Sequence, residues 1–517
     1  MLGRSVIISV LLSLFTVLIA RPVNAGTTAQ SEHFILMSDT PVAADAILRD
    51  LEHLRSAVLI DLGLPVSDEA EPLILTITDD TALFDQVSPG AQTAAIYLRS
   101  AIGNDIVVGH SHDRDHLLHD ALDPEWLRLV LRHEVTHHII EQHYPRKLPI
   151  WLGEGLAEYY ATFRLEPDGD VSFGKPFPEQ DHLSHTAPWL PMRTVVESMN
   201  TYPDYRARDR DSLFRSQRLY YGQAWALAHF VMDQPQGLAT IHRFVDDWPQ
   251  HGDSEASFEQ TFGLDYDALE TVMRNRVETG SAKDRRIKGI AGTERDIEVS
   301  TPSSKQLRQN ALRLLIQYGH LRPATDQLIE RYESNISQSD DRLTLAKALR
   351  AWRYRDWDRA DTLSQTLMAQ DAPPIVQAKA MTIRAKAAYG RVSEFQMDKA
   401  LWTQAETIVD EALYLSPDDA SLHLFRVAVT LPDVDGLPDR AKTSLAWLLD
   451  RNIRRSKPHE AMMMVPALIY EQEFDRADAV LNSAARWTLD RSDHAVIDRL
   501  RRNVAMERDI RDADRRP

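Results

Sequence analysis

The stretch Arg128–Tyr144 reads RLVLRHEVTHHIIEQHY, and the spacing of two histidines around Glu-Val-Thr decides how the first half of the chain is read. Asp123 is an N-cap candidate and Pro124 suits the first helical position, so the pattern predicts a helix over 123–144. On that helix His133 and His137 lie one turn apart on one face. Trp126, Val130 and Ile140 extend the stripe, which puts the histidines on the buried side. Two imidazoles so spaced can hold one zinc ion, with Glu134 rotated by about 100° to stand beside it. A carboxylate there can take the proton of a zinc-activated water and pass it to a leaving amine. Five loosely constrained positions arise often by chance, and a polar helix with packed or solvated histidines spells the same letters.

A catalytic zinc takes three protein ligands and keeps one open position. After the turn YPRKLP, the run IWLGEGLAEYYATF predicts a second helix over 150–163, with Glu154 and Glu158 one turn apart on a single face. Glu154 could complete a His, His, Glu site. Glu158 could accept the outer N–H of a ligating imidazole and set its tautomer. The alternative is a pair of surface carboxylates, against which stand the apolar neighbours Trp151, Leu152, Leu156 and Ala157. The chain has no cysteine, so a metal site must be built from histidine and carboxylate.

HEVTH followed by EGLAEY inside WLGEGLAEY resembles the gluzincin metallopeptidases, which pair an HExxH helix with a downstream helix bearing a third-ligand glutamate. Together with EHFILMSD and YYGQAWALAHFV, the pattern is most similar to a group of mainly uncharacterised bacterial peptidase-like proteins. The resemblance covers roughly 31–278. It implies a thermolysin-like catalytic unit, α+β with a small mixed sheet plus helices, and one zinc per chain on His133, His137 and Glu154. It further implies Glu134 as general base and Glu158 as the acidic residue behind the ligands. YGQAWAL is similar to the stretch whose leading tyrosine donates to the tetrahedral oxyanion in gluzincin aminopeptidases. Tyr221 is therefore the expected donor, with Tyr220 the neighbouring alternative and a core tyrosine the rival reading. Those aminopeptidases also carry a glycine-rich strand ending in a glutamate. The nearest stretch here, GAQTAA over 90–95, has no acidic residue and so does not support aminopeptidase specificity; endopeptidase action is the expectation, with carboxypeptidase action left open. The strand NDIVVG over 104–109 is a candidate sheet edge for an extended substrate.

The 517 residues exceed one ordinary core, and 43% hydrophobic with 26% charged residues reads as globular. A net charge of −18 excludes the basic footprint of a nucleic-acid binder. Arg4, the apolar run Ser5–Ala20 and Val23-Asn24-Ala25 predict a cleaved signal peptide over 1–25, with an uncleaved membrane anchor the rival reading, and hence a periplasmic or secreted protein with no stable membrane span after cleavage. The metallopeptidase domain is expected over 26–278 and a linker over 279–302, where glycines and mixed charges concentrate. An all-α domain is expected over 303–509, with a charged tail over 510–517. In it Ala324, Ala360, Ala405, Ala441 and Ala477 recur at spacings of 36 to 45 residues, and Asp-Arg-Ala recurs at 358, 439 and 475. Small residues at such spacing suit stacked helical hairpins and resemble degenerate tetratricopeptide repeats. That domain is expected to hold a protein partner or to position the peptide or protein substrate, so that removing 301–517 alters mainly substrate or partner choice. The competing expectation is an envelope scaffold that works through the repeats, with an inactive fold or a structural zinc. A loop cluster, His110, His112, His116 and His119, is read as solvated. No GxSxG, P-loop or cysteine nucleophile offers another chemistry.

Overall fold

The computed structural model describes residues 26–65, 71–88, 94–109, 124–144, 148–175, 189–197, 210–234, 237, 239–244, 254–280, 284–288, 296–334, 340–370, 372–394, 398–430, 436–450, 458–486 and 491–514. The expected signal peptide, the His110–His119 cluster, Asp123 and most of GAQTAA lie outside them. Among the described residues, no helix is long and apolar enough to cross a membrane.

The chain is α+β, with a small mixed sheet first and a helical region after it. Strands β1 (Thr27–Gln30), β2 (Phe34–Ser38), β3 (Leu73–Thr78), β4 (Ala95–Ser100), β5 (Gly103–Gly109) and β9 (Glu298–Ser300) form one sheet in the order β4-β5-β3-β2-β1-β9. β2, β3 and β5 are parallel, in a register that aligns Leu36, Leu75 and Ile106, and the outer pairs are antiparallel. β5, the expected edge, lies inside the sheet, and β4 takes the edge position. β4 mixes apolar with polar residues, and Arg99-Ser100 turns back through Ala101-Ile102 into β5, with Gly103 at φ 143°. A second sheet joins β6 (Arg164–Leu165), β7 (Val171–Phe173) and β8 (Arg285–Ile287).

Every residue of β3 is buried, because both faces of the sheet are covered. On one face, α1 (Ala44–Asp61) and α3 (Pro124–His143) pack with Leu36, Leu75, Ile106 and Val108. On the other, α2 (Thr81–Val87) and α9 (Ser304–Tyr318) pack with Ile102 and Val107. Helices α4 (Ile150–Ala161), α5 (Met192–Glu197), α6 (Arg210–Met232), α7 (Ser254–Phe262) and α8 (Tyr266–Glu278) complete the first half. α3 and α4 fall within two residues of the helices expected over 123–144 and 150–163.

The helical region continues as α10 (Pro323–Glu333), α11 (Asp341–Arg353), α12 (Trp357–Ala369), α13 (Pro374–Glu394), α14 (Lys399–Leu415), α15 (Ala420–Thr430), α16 (Asp439–Asp450), α17 (Pro458–Tyr470), α18 (Phe474–Arg486) and α19 (Arg491–Asp514). Successive helices pack pairwise, and the first helices of successive pairs also touch one another. Ala360, Ala441 and Ala477 are buried at the start of second helices, and Ala405 is buried nearer the middle of one. Ala324 is exposed, and Thr325 takes the buried place, bonding Gln86 of α2 at 2.7 Å. The phrases RYRDWDRA and YEQEFDRA fold alike: Arg355 and Gln472 occupy the same turn position with φ of 60° and 58°.

The segment expected as a linker holds β8 and β9, and β9 pairs with β1 inside the main sheet. Nor is the helical region a detachable unit. Arg313 of α9 reaches Asp105 of β5 with two nitrogens at 2.9 and 2.5 Å, and Tyr318 donates to the same carboxylate at 2.8 Å. Asn310 bonds Thr76 at 2.8 Å, and Tyr332 bonds Asp80. Removing 301–517 would take α9 from the sheet face it shares with α2 and not merely alter a partner surface. The expected tail is helical as far as Asp514.

Candidate metal centre

The core face of α3 is Leu127, Leu131, Val135 and Ile139, at helical spacing toward the sheet. Trp126, Val130, His133 and His137 are only partly buried, so the histidines flank the core and do not lie within it as the sequence stripe suggested. Two anchors hold the helix at either end of the motif. Arg132 is gripped by Asp50 of α1 at 2.7 and 2.6 Å, and His138, buried, meets the Tyr97 hydroxyl of β4 at 3.1 Å. Burial pushes His138 down to about 3, so it sits neutral in that contact.

Helix α4 buries Trp151, Leu152, Leu156, Tyr159 and Tyr160, and this leaves Glu154 and Glu158 turned toward α3. Gly155 makes the arrangement possible. A Cβ there would stand 2.3 Å from the Ala224 carbonyl oxygen and 2.8 Å from Ala228 Cβ, so α4 and α6 touch through bare backbone.

The three expected ligands come together. His133 Nε2 and His137 Nε2 are 3.2 Å apart, and each lies 3.3 Å from Glu154 Oε2. This is the group among the described residues with metal-ligand spacing. Atoms bound at 2.0–2.1 Å to a tetrahedral zinc stand roughly 3.3–3.4 Å from one another, and the observed triangle has that size. Charge-assisted N–H···O bonds run shorter, at about 2.7–2.9 Å. The donor set, two imidazoles and a carboxylate, therefore fits a zinc ion in chemistry and spacing.

The electrostatics point the same way. Burial opposes a charge on His133, yet Glu154, Glu158 and Glu134 outweigh it and hold the ring well above the ordinary histidine range. Burial likewise opposes ionisation of Glu154, but the two histidines pull it well below the usual carboxylate range. The pocket thus favours positive charge beside ionised Glu154. Glu158 lies 3.3 Å from His133 Nδ1, where it can orient the ring whose other nitrogen faces the ligand triangle. Glu134 is pushed up by burial and by Glu154, against the two histidines and the Tyr97 backbone N–H. Tyr221 is partly buried, with its ring centroid 6.1 Å from that of His133, whereas Tyr220 is fully buried in the core.

Two contributors escaped the sequence reading. Tyr97 belongs to a strand with no strong apolar signal, and Gly155 has the outward form of any helical glycine. His138, next to the motif, is the anchor for β4. Comparison of the chain with models of protein families, with curated proteins and with solved structures finds no match.

Proposed function

We propose that this protein is an exported, zinc-dependent peptidase of gluzincin, thermolysin-like type, acting on peptides in the periplasm or outside the cell. The observation that carries the reading is the triangle of His133 Nε2, His137 Nε2 and Glu154 Oε2, closed at 3.2–3.3 Å across the packed pair α3 and α4. His133, His137 and Glu154 would hold one zinc ion, which when bound supplies a Lewis acid for water and for a scissile carbonyl. Glu134, next to the triangle and raised above the usual carboxylate range, accepts a proton from the attacking water and releases it to the departing amine. Tyr221, beside His133, donates its hydroxyl to the oxyanion as it develops, where a donor lowers the barrier most. Tyr220 is a core residue and takes no part. Glu158 fixes the His133 ring, and Tyr97 and Asp50 hold the helix that carries the base. The helical region covers the sheet and offers a surface for a protein partner or for substrate.

Protein purified with zinc present is expected to hold about one zinc per chain by mass spectrometry. Glu134→Gln is expected to keep that zinc and lower peptide cleavage by roughly a hundredfold or more. A protein without stoichiometric zinc refutes the site. Unchanged cleavage by Glu134→Gln refutes the mechanism, and zinc binding without cleavage by the native chain favours the scaffold reading.

A further inference from the structure

Among the described residues of α6, two polar side chains are fully buried, Gln223 and His229. His229 meets Asp233 at 3.2 Å, and Arg276 of α8 binds the same carboxylate, which ties the end of α6 to α8. Gln223 opens a run that stays buried as far as Met232, where a leucine would pack as well and need no partner. Its amide is engaged by backbone. Leu190 N donates to Gln223 Oε1 at 2.9 Å, and Gln223 Nε2 donates to Leu190 O at 2.8 Å. One donor and one acceptor thus meet both polar groups of a single residue, as a neighbouring strand would.

Leu190 belongs to a ledge that other elements fix. Trp189 is buried, with the Arg274 guanidinium of α8 4.8 Å from its ring centroid, and Arg193 of α5 pairs with Glu255 of α7. Gln223 holds α6 to that ledge. At about 100° per residue, Tyr221, Gln223 and Ala224 lie on three sides of one helical turn. Tyr221 is turned to α3, its ring centroid 6.1 Å from that of His133, and Ala224 lies against Gly155 of α4. Gln223 is turned about 200° away from Tyr221, toward Leu190. The contact at Gly155 is bare backbone, so it sets how near α6 comes to α4 and not how α6 is rotated. The paired amide bonds do fix rotation, because turning the helix stretches one of them.

We propose that Gln223 is a positioning residue for Tyr221: by clasping both backbone groups of Leu190 it sets the rotation of α6, and with it the place of the Tyr221 hydroxyl beside the candidate metal centre. The inference rests on the role proposed above for Tyr221. Gln223 acts from the far side of the helix, through Tyr221. A small rotation matters, because an oxyanion donor must come within about 2.7–3.1 Å of the oxygen on which charge develops.

The test uses the full-length, zinc-loaded chain and a quenched fluorescent peptide that it cleaves. Gln223→Met keeps the length of the side chain and removes both bonds. It is expected to lower kcat about tenfold or more and to leave KM within about twofold, with zinc content and circular dichroism unchanged. In a Tyr221→Phe background, itself slower by roughly a hundredfold, the same substitution should cost less than about twofold, since no hydroxyl is left to place. Equal falls in the two backgrounds overturn the proposal, because a residue that only supports the fold acts in both. Placement is also read without catalysis. In protein labelled with 3-fluorotyrosine, the Tyr221 fluorine signal, identified by its absence from Tyr221→Phe, should shift in Gln223→Met. An unshifted signal overturns the inference whatever the rates do. A native chain that binds no zinc or cleaves no peptide removes the function proposed above, and the fluorine signal then decides this inference alone. Gln223→Asn, one methylene short of reaching both groups of Leu190, takes the place of Gln223→Met if that variant does not fold, with the same outcomes.

Discussion

Arg313→Met probes the claim that the helical region and the half with the candidate metal centre share one core. Arg313 and Asp105 are 9% and 1% exposed, and their two contacts at 2.9 and 2.5 Å form a bidentate pair between α9 and β5. Methionine keeps most of the apolar stem but leaves the Asp105 carboxylate buried, with the Tyr318 hydroxyl as its remaining side-chain donor. The guanidinium's further bonds to Asn310 and Gln317, at 2.8 and 2.9 Å, are lost as well. Breaking one side of a buried ion pair costs about 3–5 kcal/mol, because the orphaned charge stays in a poor solvent. With an m-value of about 3 kcal/mol/M, a loss of about 4 kcal/mol moves the urea midpoint down by roughly 1.3 M. Equilibrium urea unfolding followed by tryptophan fluorescence and by circular dichroism reads the shift. The double variant Arg313→Met with Asp105→Leu should recover most of it, since an apolar pair of similar bulk is often as stable as the ions it replaces. A midpoint shift in Arg313→Met equivalent to less than about 1 kcal/mol would refute the shared core, and so would a double variant equal to the sum of the singles.

Other expectations follow from the same geometry. Gly155→Ala drives a methyl against the Ala224 carbonyl, so α4 and α6 must separate at a cost of about 1–3 kcal/mol. Zinc retention should fall with the melting temperature, and a variant unchanged in both would show that the contact does not position Glu154. Glu158→Ala removes the carboxylate behind His133 and should weaken zinc binding by about 10–100-fold in a competition titration, with the fold intact by circular dichroism. Glu52 is buried, which by itself raises its pKa, but its bonds from the His33 ring and backbone at 2.8 and 3.0 Å bring it below the ordinary 4.5. A carboxylate depressed on folding stabilises fully above its unfolded value and loses that contribution as pH falls through the folded one. Glu52→Gln should therefore be less stable at neutral pH and show a flatter loss of stability below about pH 4.5, read by urea midpoints across the acid range. An unchanged acid limb would show that the His33–Glu52 contact does not contribute.

Local pattern carried the reading a long way. The i, i+4 spacing of His133 and His137 needs only helical geometry, and so does the pairing of Glu154 with Glu158. The repeated Asp-Arg-Ala frames likewise marked second helices, because a small side chain is needed wherever two helices cross closely. Only the tertiary structure decided whether Glu154 would face His133 at all. That depends on Gly155 letting α6 press against α4 and on Asp50 and Tyr97 gripping α3 from other elements. The glycines of 279–302 read as a linker because β8 and β9 are short and polar, and only pairing with β7 and β1 makes them strands. Arg313 and Asp105, 208 residues apart, read separately as two surface charges. Periodicity reports which face of an element seeks burial, but the partner for that face is chosen by packing across the whole chain. Here that choice covers both faces of one sheet and leaves His133 and His137 at its margin.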